Sequence, residues 1–364
     1  MSTLESITIR GFKSIASIDK LELKAINILI GSNGSGKSNF IGAFAFLQSI
    51  RIGGLKEYVI RAGGADNVLH FGSKQTSEIF LEVDFKSINK YEVTLVPSET
   101  DGLIPAREIV EFLPYGKPRH LYPTDRGEAG LSALRQTEPI AQHVQNWLDQ
   151  CRVYHFHDTG PSSLMKKTND VDDNRFFRPD ASNLSAYLYF LSKKHITEYN
   201  LIRGVVRTVA PFFNDFVLAP MQLNNDTIRL EWKHVNSDSY FNASALSDGT
   251  LRFIALATLL LQPVTLRPSV ILIDEPELGL HPYAITLLAS LIKQASVDTQ
   301  VIVSTQSPIL LDHFEPKDVL VTERIDGGTV VKRLEQAPLQ TWLEDYSLGQ
   351  LWEKNELGGR PVAN

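Results

Sequence analysis

A single cysteine, Cys151, stands in a chain of 364 residues. No intrachain disulfide framework can form, which fits a reducing compartment. No apolar run reaches the ~20 residues needed to cross a bilayer; the longest, Phe253 to Leu261, stops well short of it. The N-terminus, Met1-Ser2-Thr3-Leu4-Glu5-Ser6, has no basic segment leading into a long apolar one, so no secretory signal is expected. A soluble, cytoplasmic protein with no membrane partner is the resulting expectation. Positive charge is also short, with 36 Lys and Arg against 42 Asp and Glu and a net charge of −6. That excludes coating nucleic acid through bulk charge and leaves room only for a local basic groove. Internal repeats, low-complexity tracts and long heptad runs are all missing.

What is present is enough apolar residue, 43%, for a full core. The length suits roughly two domains, or one large α/β domain carrying an insertion. Ser6–Ile9 and Lys20–Leu23 read as short strands around a turn-like Gly11-Phe12-Lys13-Ser14. Ala25–Ile30 is a nearly unbroken apolar run ending in glycine, the pattern of a buried strand. A helix should follow from Lys37 to about Ile50, with Phe40, Ile41, Phe44 and Leu47 on one face. Residues 79–85 and 91–96 read as strands. From about Pro97 to Asp180 the period is lost. Ser185–Val209 is helical in pattern up to Pro211, and Ile228–Trp232 alternates like a strand. Thereafter strands at Val270–Ile273 and Val301–Ser304 alternate with helices at about Thr250–Leu261 and Pro282–Ala295, the order of a mainly parallel sheet.

Three motifs carry chemistry. Gly31-Ser32-Asn33-Gly34-Ser35-Gly36-Lys37-Ser38 satisfies G-x-x-x-x-G-K-[ST] between an expected strand and an expected helix. Its glycines let backbone N–H groups converge on phosphate oxygens at a helix N-terminus. Lys37 would reach the β- and γ-phosphates of ATP, and the Ser38 hydroxyl would sit on Mg2+. Asn39 follows directly. Val270–Ile273 is an apolar strand delivering Asp274 and Glu275 at its C-terminal end, where open α/β sheets place their sites. Asp274 suits the magnesium shell and Glu275 the positioning or deprotonation of water; taken alone, the pair is equally a solvated acidic turn. Leu246-Ser247-Asp248-Gly249-Thr250-Leu251-Arg252 precedes an apolar helix, and Ser247 or Asp248 could simply be its N-cap.

Together these motifs resemble the ABC ATPases, and within them the SMC, RecF and OLD proteins. Leu246–Arg252 is similar to the LSGGQ signature, with Asp248 in place of its first glycine. Residues 7–15, with Gly11-Phe12-Lys13-Ser14, look like the start of SMC and RecF heads. Glu277-Leu278-Gly279-Leu280-His281-Pro282 looks like the D-loop, and Gln306-Ser307-Pro308 stands at the switch position, where relatives have histidine. The resemblance implies a head of P-loop NTPase fold, with a mainly parallel core sheet and an antiparallel N-terminal lobe. It implies a homodimer sandwiching ATP, in which Ser247, Asp248 and Gly249 meet the nucleotide held by the other subunit. Glu275, Lys37 and Gln306 are then the catalytic candidates. An amide at 306 cannot take up a proton near neutral pH, so slow hydrolysis is expected. Gln75 is the nearest candidate for the Q-loop, and equally a plain surface glutamine.

The expected division is 1–90, a lobe with the phosphate loop; 91–243, a mixed inserted region; 244–334, a second lobe with signature and acidic strand; and 335–364, a tail. The ending Gly358-Gly359-Arg360-Pro361 reads as a turn or a flexible tail. Cys151, His155, His157 and Asp158 lack the second ligand pair that a zinc site wants. Asp170, Asp172 and Asp173 lack the glycine and closing glutamate of a calcium loop. Lys193-Lys194-His195 reads as a solvated helix face. By resemblance the chain serves DNA maintenance or anti-phage defence, with DNA and a separately encoded nuclease or toxin as partners. The alternatives are an ATP-dependent protein switch that does not bind DNA and, last, a transporter subunit.

Overall fold

The apolar run after Ala25 becomes strand β3 (Ile26–Ile30), buried inside a six-stranded sheet. In the computed structural model, residues 4–85, 89–112, 118–122, 124, 127–133 and 139–359 are described; Met1-Ser2-Thr3 and Arg360-Pro361 fall outside them. On one side of β3 lie β15 (Gln300–Thr305), β14 (Val270–Asp274) and β8 (Cys151–Tyr154). On the other lie β16 (Val319–Ile325) and β17 (Gly328–Arg333). Neighbours are parallel except β17, which turns back against β16.

Alternation along these strands explains why they read as continuous apolar runs. Ile28, Ile30, Ile271, Ile273, Val301 and Val303 enter one core. Leu29, Val270, Leu272 and Ile302 enter the other. A sheet covered on both faces has no polar side to alternate with.

The second core is shared with an antiparallel sheet ordered β2-β1-β4-β5-β6-β7. Its strands are β1 (Leu4–Phe12), β2 (Ile15–Glu22), β4 (Ile79–Phe85), β5 (Asn89–Pro97), β6 (Leu103–Phe112) and β7 (Arg119–Leu121). Helix α1 (Lys37–Arg51) buries Phe40, Ile41, Phe44 and Leu47 in this core, the face expected from their spacing. Helices α2 (Leu55–Ala62), α3 (Gly130–Ala133) and α4 (Pro139–Asp149) complete it.

The first core is covered by α5 (Leu184–Lys194), α6 (Ile196–Val209), α7 (Asp248–Leu261), α8 (Pro282–Ala295), α9 (Pro308–Leu311) and, past the short α10 (Gln336–Leu339), α11 (Leu348–Glu353). Every residue of α7 from Thr250 onward is buried, which accounts for its unbroken apolar run. Small strands pair beyond: β9 (Asn169–Asp170) with β11 (Thr227–Ile228), and β10 (Phe213–Val217) with β12 (Glu231–His234) and β13 (Tyr240–Asn242).

The α/β class, the mainly parallel core sheet and the antiparallel N-terminal lobe are as expected. Several local readings differ. The helical stretch before Pro211 is two helices, parted at His195 (φ −139°, ψ 60°), because Tyr187 and Leu191 of one and Ile202 and Val206 of the other must reach the same core. The alternating run at 228–232 is divided between β11 and β12, which find different partners. Residues 91–243 are shared out: β5 to β7 join the N-terminal sheet, α3 and α4 pack in its core, β8 edges the parallel core sheet, and the segments after β8 cover the other face.

Candidate active site

The loop from Gly31 to Ser38 links β3 to α1. Gly36 precedes α1 at φ 108°, in the left-handed region that favours glycine, and a Cβ there would stand 2.0 Å from Thr329 Oγ1. A Cβ at Gly31 would stand 2.3 Å from Thr322 Oγ1. These approaches are close because β16 and β17 hold the loop from behind. Thr322 donates to Ile30 O at 2.8 Å and contacts Ser35 Oγ at 2.8 Å. Thr329 donates to Ser35 O at 2.9 Å and contacts Ser14 Oγ at 2.7 Å, and Asn39 Nδ2 donates to Ser14 Oγ at 2.7 Å. The chain's end joins in: Ser32 N donates to Gly359 O at 2.6 Å, and Gly359 N to Glu323 Oε1 at 2.9 Å. Gly359 is thus packed on the phosphate loop.

Lys37 is 5% exposed and folds back on its own loop, donating to Gly31 O at 2.7 Å and Ser32 O at 3.1 Å. Burial draws its pKa below the ordinary lysine value, and the carboxylates of Glu275, Asp274 and Glu277 push it back up.

Asp274 closes β14 opposite Ser304 of β15, whose hydroxyl donates to Asp274 Oδ1. Glu275 then turns at φ 42°, a left-handed conformation rare for a residue with a side chain. Its N–H donates to Ser304 O at 2.9 Å. Gln306 Nε2 donates to Glu275 Oε1, so the Gln306 amide touches the Glu275 carboxylate. Behind them Glu277 Oε1 accepts from Thr305 Oγ1 at 2.6 Å and from Gln306 N at 3.1 Å. Burial raises the Glu277 carboxyl above its ordinary value, and those hydrogen bonds oppose the rise.

A cavity of about 280 Å³ is lined by Asn33, Gly34, Gly36, Lys37, Ser38, Asn39, Glu275, Gln306 and Arg324. It joins residues 33, 34, 36–39, 275 and 306 in one place, while Gly31, Ser32, Ser35 and Asp274 are not among its lining. Arg324 was not anticipated: it sits on β16 with no motif around it, and its Nη1 reaches Gly34 O at 3.5 Å.

The signature segment lies elsewhere. Ser247 caps α7, accepting from Thr250 N at 3.2 Å, and Asp248 pairs with Lys166 Nζ at 3.3 Å. A Cβ on Gly249 would meet Gly279 O at 2.4 Å, so the start of α7 rests on the Glu277–Pro282 loop. Ser247, Asp248 and Gly249 are not among the residues lining the cavity. Gln75 is exposed in a turn closed by Gly72 O, and it too is absent from the lining.

Of the group Cys151, His155, His157 and Asp158, the two histidines approach Asp274. Cys151 is buried at the start of β8, where burial pushes its thiol up to about 12. One donor atom each of His155, His157 and Asp274 lie within 4.8 Å of one another.

The sequence profile of a family described as "AAA domain, putative AbiEii toxin, Type IV TA system" matches residues 26–312, from β3 to the residue after α9. The chain belongs to this AAA family. The fold of the AAA domain recurs in solved SMC heads. One is an SMC head bound to the C-winged helix domain of ScpA, with TM-score 0.61 and 16% identity over 92% of this chain and 99% of that one. Another, from Pyrococcus furiosus, is an SMC head with an extended coiled coil bound to the C-terminal domain of ScpA, with TM-score 0.60 and 15% identity over 95% and 99%. A third, from Pyrococcus yayanosii, is an SMC head with a coiled coil and joint, with TM-score 0.54 and 13% identity over 95% and 99%. At these identities the likeness is one of fold. No curated protein matches the sequence. The chain is therefore an AAA-type ATPase domain with an SMC-head-like fold, and among its described residues no helix is long and apolar enough to cross a membrane.

Proposed function

We propose that this AAA domain binds ATP with Mg2+, hydrolyses it slowly, and closes on a second copy of itself around the nucleotide. The observation that carries the reading is the meeting of Lys37, Glu275 and Gln306 around one cavity whose floor is the Gly31–Ser38 loop. Phosphate oxygens would take the place of the Gly31 and Ser32 carbonyls now held by Lys37 Nζ. Backbone N–H groups of residues 31–39 and the N-terminus of α1 would complete the cradle. Glu275 would orient and deprotonate water, with Gln306 holding its carboxylate in place.

The donor set fits the hard ion: the Ser38 hydroxyl and an Asp274 carboxylate oxygen are oxygen ligands of the kind magnesium takes beside phosphates. When bound, Mg2+ neutralises charge on the β- and γ-phosphates. The separation of Ser247, Asp248 and Gly249 from the cavity supports their assignment to the nucleotide of the partner copy, across a homodimer.

We assign the cycle to DNA maintenance or anti-phage defence, with a separately encoded nuclease or toxin as its receiver. Two solved neighbours are heads bound to a domain of another protein, ScpA, which supports a head that works with a separate protein. The competing role is a switch with protein partners alone. DNA affinity that falls steeply with salt supports the first role, and no DNA binding at low salt supports the second. For the nucleotide site, Lys37→Ala should lose ATP binding by calorimetry, because it removes the charged donor of the cradle. Unchanged affinity would refute the site.

A further inference from the structure

β8 and β14 run side by side in parallel, with Tyr154 opposite Ile273. The register brings the residues just beyond β8, His155-Phe156-His157, alongside Asp274. Phe156 turns into the core, and both histidines stay exposed at the sheet's end. His157 Nε2 meets Asp274 O at 2.8 Å, which ties its imidazole to the strand end carrying the carboxylate. Arg252 holds the backbone in place, donating from Nε to Phe156 O at 2.9 Å and from Nη2 to His157 O at 3.2 Å. The His155 backbone is fixed by donation to Pro179 O at 2.9 Å, and its ring makes no hydrogen bond among the described residues. The two rings stand edge to face, with centroids 6.1 Å apart. Asp274 Oδ1 takes the Ser304 hydroxyl, and Oδ2 has no hydrogen-bond partner among the described residues.

We propose that His155, His157 and Asp274 form a binding site for a divalent transition-metal ion, of the Mn2+, Co2+ or Zn2+ class, beside the phosphate cradle. One donor atom from each lies within 4.8 Å of the others. Such an ion holds nitrogen and oxygen ligands at about 2.0–2.2 Å in a tetrahedral array, so neighbouring donors stand about 3.4 Å apart, and side-chain rotations that draw the three donors together close the site. Two imidazoles and one carboxylate define the ion's class. Mg2+ and Ca2+ take oxygen ligands, whereas imidazole suits the borderline transition ions and leaves open positions for water or phosphate. The proposal extends the assignment of Asp274 to nucleotide-linked metal: an ion here shares its carboxylate, so occupancy by a transition metal couples to the nucleotide cycle.

The test uses tag-free full-length protein without nucleotide and Co2+ as probe, because its visible absorption reports nitrogen ligation. Wild type should bind one Co2+ per chain, displaced by Zn2+. His155→Gln and His157→Gln should each weaken Co2+ binding by at least about tenfold, with unchanged circular dichroism. His155 is exposed, so its variant tests the site even if His157→Gln proves unstable. Lys37→Ala should still bind Co2+. Equal affinity in wild type and both histidine variants, or no binding by wild type up to millimolar Co2+, would overturn the metal site. ATP binding by Lys37→Ala would instead overturn the nucleotide reading and leave the metal site standing.

Discussion

At the scale of single residues, Gln306 is the proposed switch residue whose contacts are the most specific. Its amide donates to Glu275 Oε1 and its backbone N–H to Glu277, so it links two carboxylates. An amide offers a neutral donor where an imidazolium offers a charged one, and charged hydrogen bonds are roughly twice as strong. In a water-poor site that difference is on the order of 1–3 kcal/mol, or about one to two decades in rate. Gln306→His should therefore raise ATP turnover, or make it depend on pH near neutrality, and Gln306→Ala should lower it. Steady-state rates of the three proteins between about pH 6 and 8.5, spanning the ordinary histidine pKa, are the measurement. Identical rates throughout would remove residue 306 from the switch.

At the scale of elements, β6 carries a buried carboxylate that fastens the N-terminal sheet to α3. Glu108 is 1% exposed and accepts from Tyr91 Oη at 2.7 Å, Gly130 N at 2.7 Å and Leu131 N at 3.1 Å. Burial raises its carboxyl above the ordinary value, and these three hydrogen bonds oppose the rise. Glu108→Ala leaves those donors without an acceptor and should cost about 1–3 kcal/mol of stability. A carboxyl whose pKa is higher folded than unfolded takes up protons on folding. Its contribution is full below the unfolded value and is lost as pH rises through the folded one. Wild type's advantage over Glu108→Ala in urea denaturation should shrink as pH rises above the usual carboxylate range. An advantage that grows with pH would contradict the burial argument.

At the scale of the whole molecule, the Gly31–Ser38 loop, Glu275 and Gln306 lie together beyond the C-terminal ends of β3, β14 and β15, and the start of α7 lies away from the cavity. In the proposed sandwich a second copy brings Ser247 and Gly249 to the nucleotide. Glu275→Gln should keep nucleotide and metal binding while losing water activation, and so accumulate the closed form. Light scattering with ATP and Mg2+ should show doubled mass for this variant. A mass that stays monomeric, or hydrolysis at the wild-type rate, would count against Glu275 as the base and against the sandwich.

The sequence by itself determined the fold class and the candidate residues that lie in contiguous motifs. Gly31 to Ser38 needs only a strand before it and a helix after it. Asp274 and Glu275 need only an apolar strand to deliver them. These are local patterns, read from period and composition. What only the tertiary structure decided is what touches them. Thr322 and Thr329 lock the phosphate loop from a hairpin with no motif of its own, and Arg324 comes from the same hairpin. Gly359, in a segment that reads as a turn or a flexible tail, accepts from Ser32. His155 and His157 do not read as a metal site in the sequence, because no second ligand pair follows them. The further ligand, Asp274, comes from the adjacent strand. Parallel pairing is the reason: it sets β8 against β14 at a register that no local pattern encodes, and so makes neighbours of residues more than a hundred positions apart.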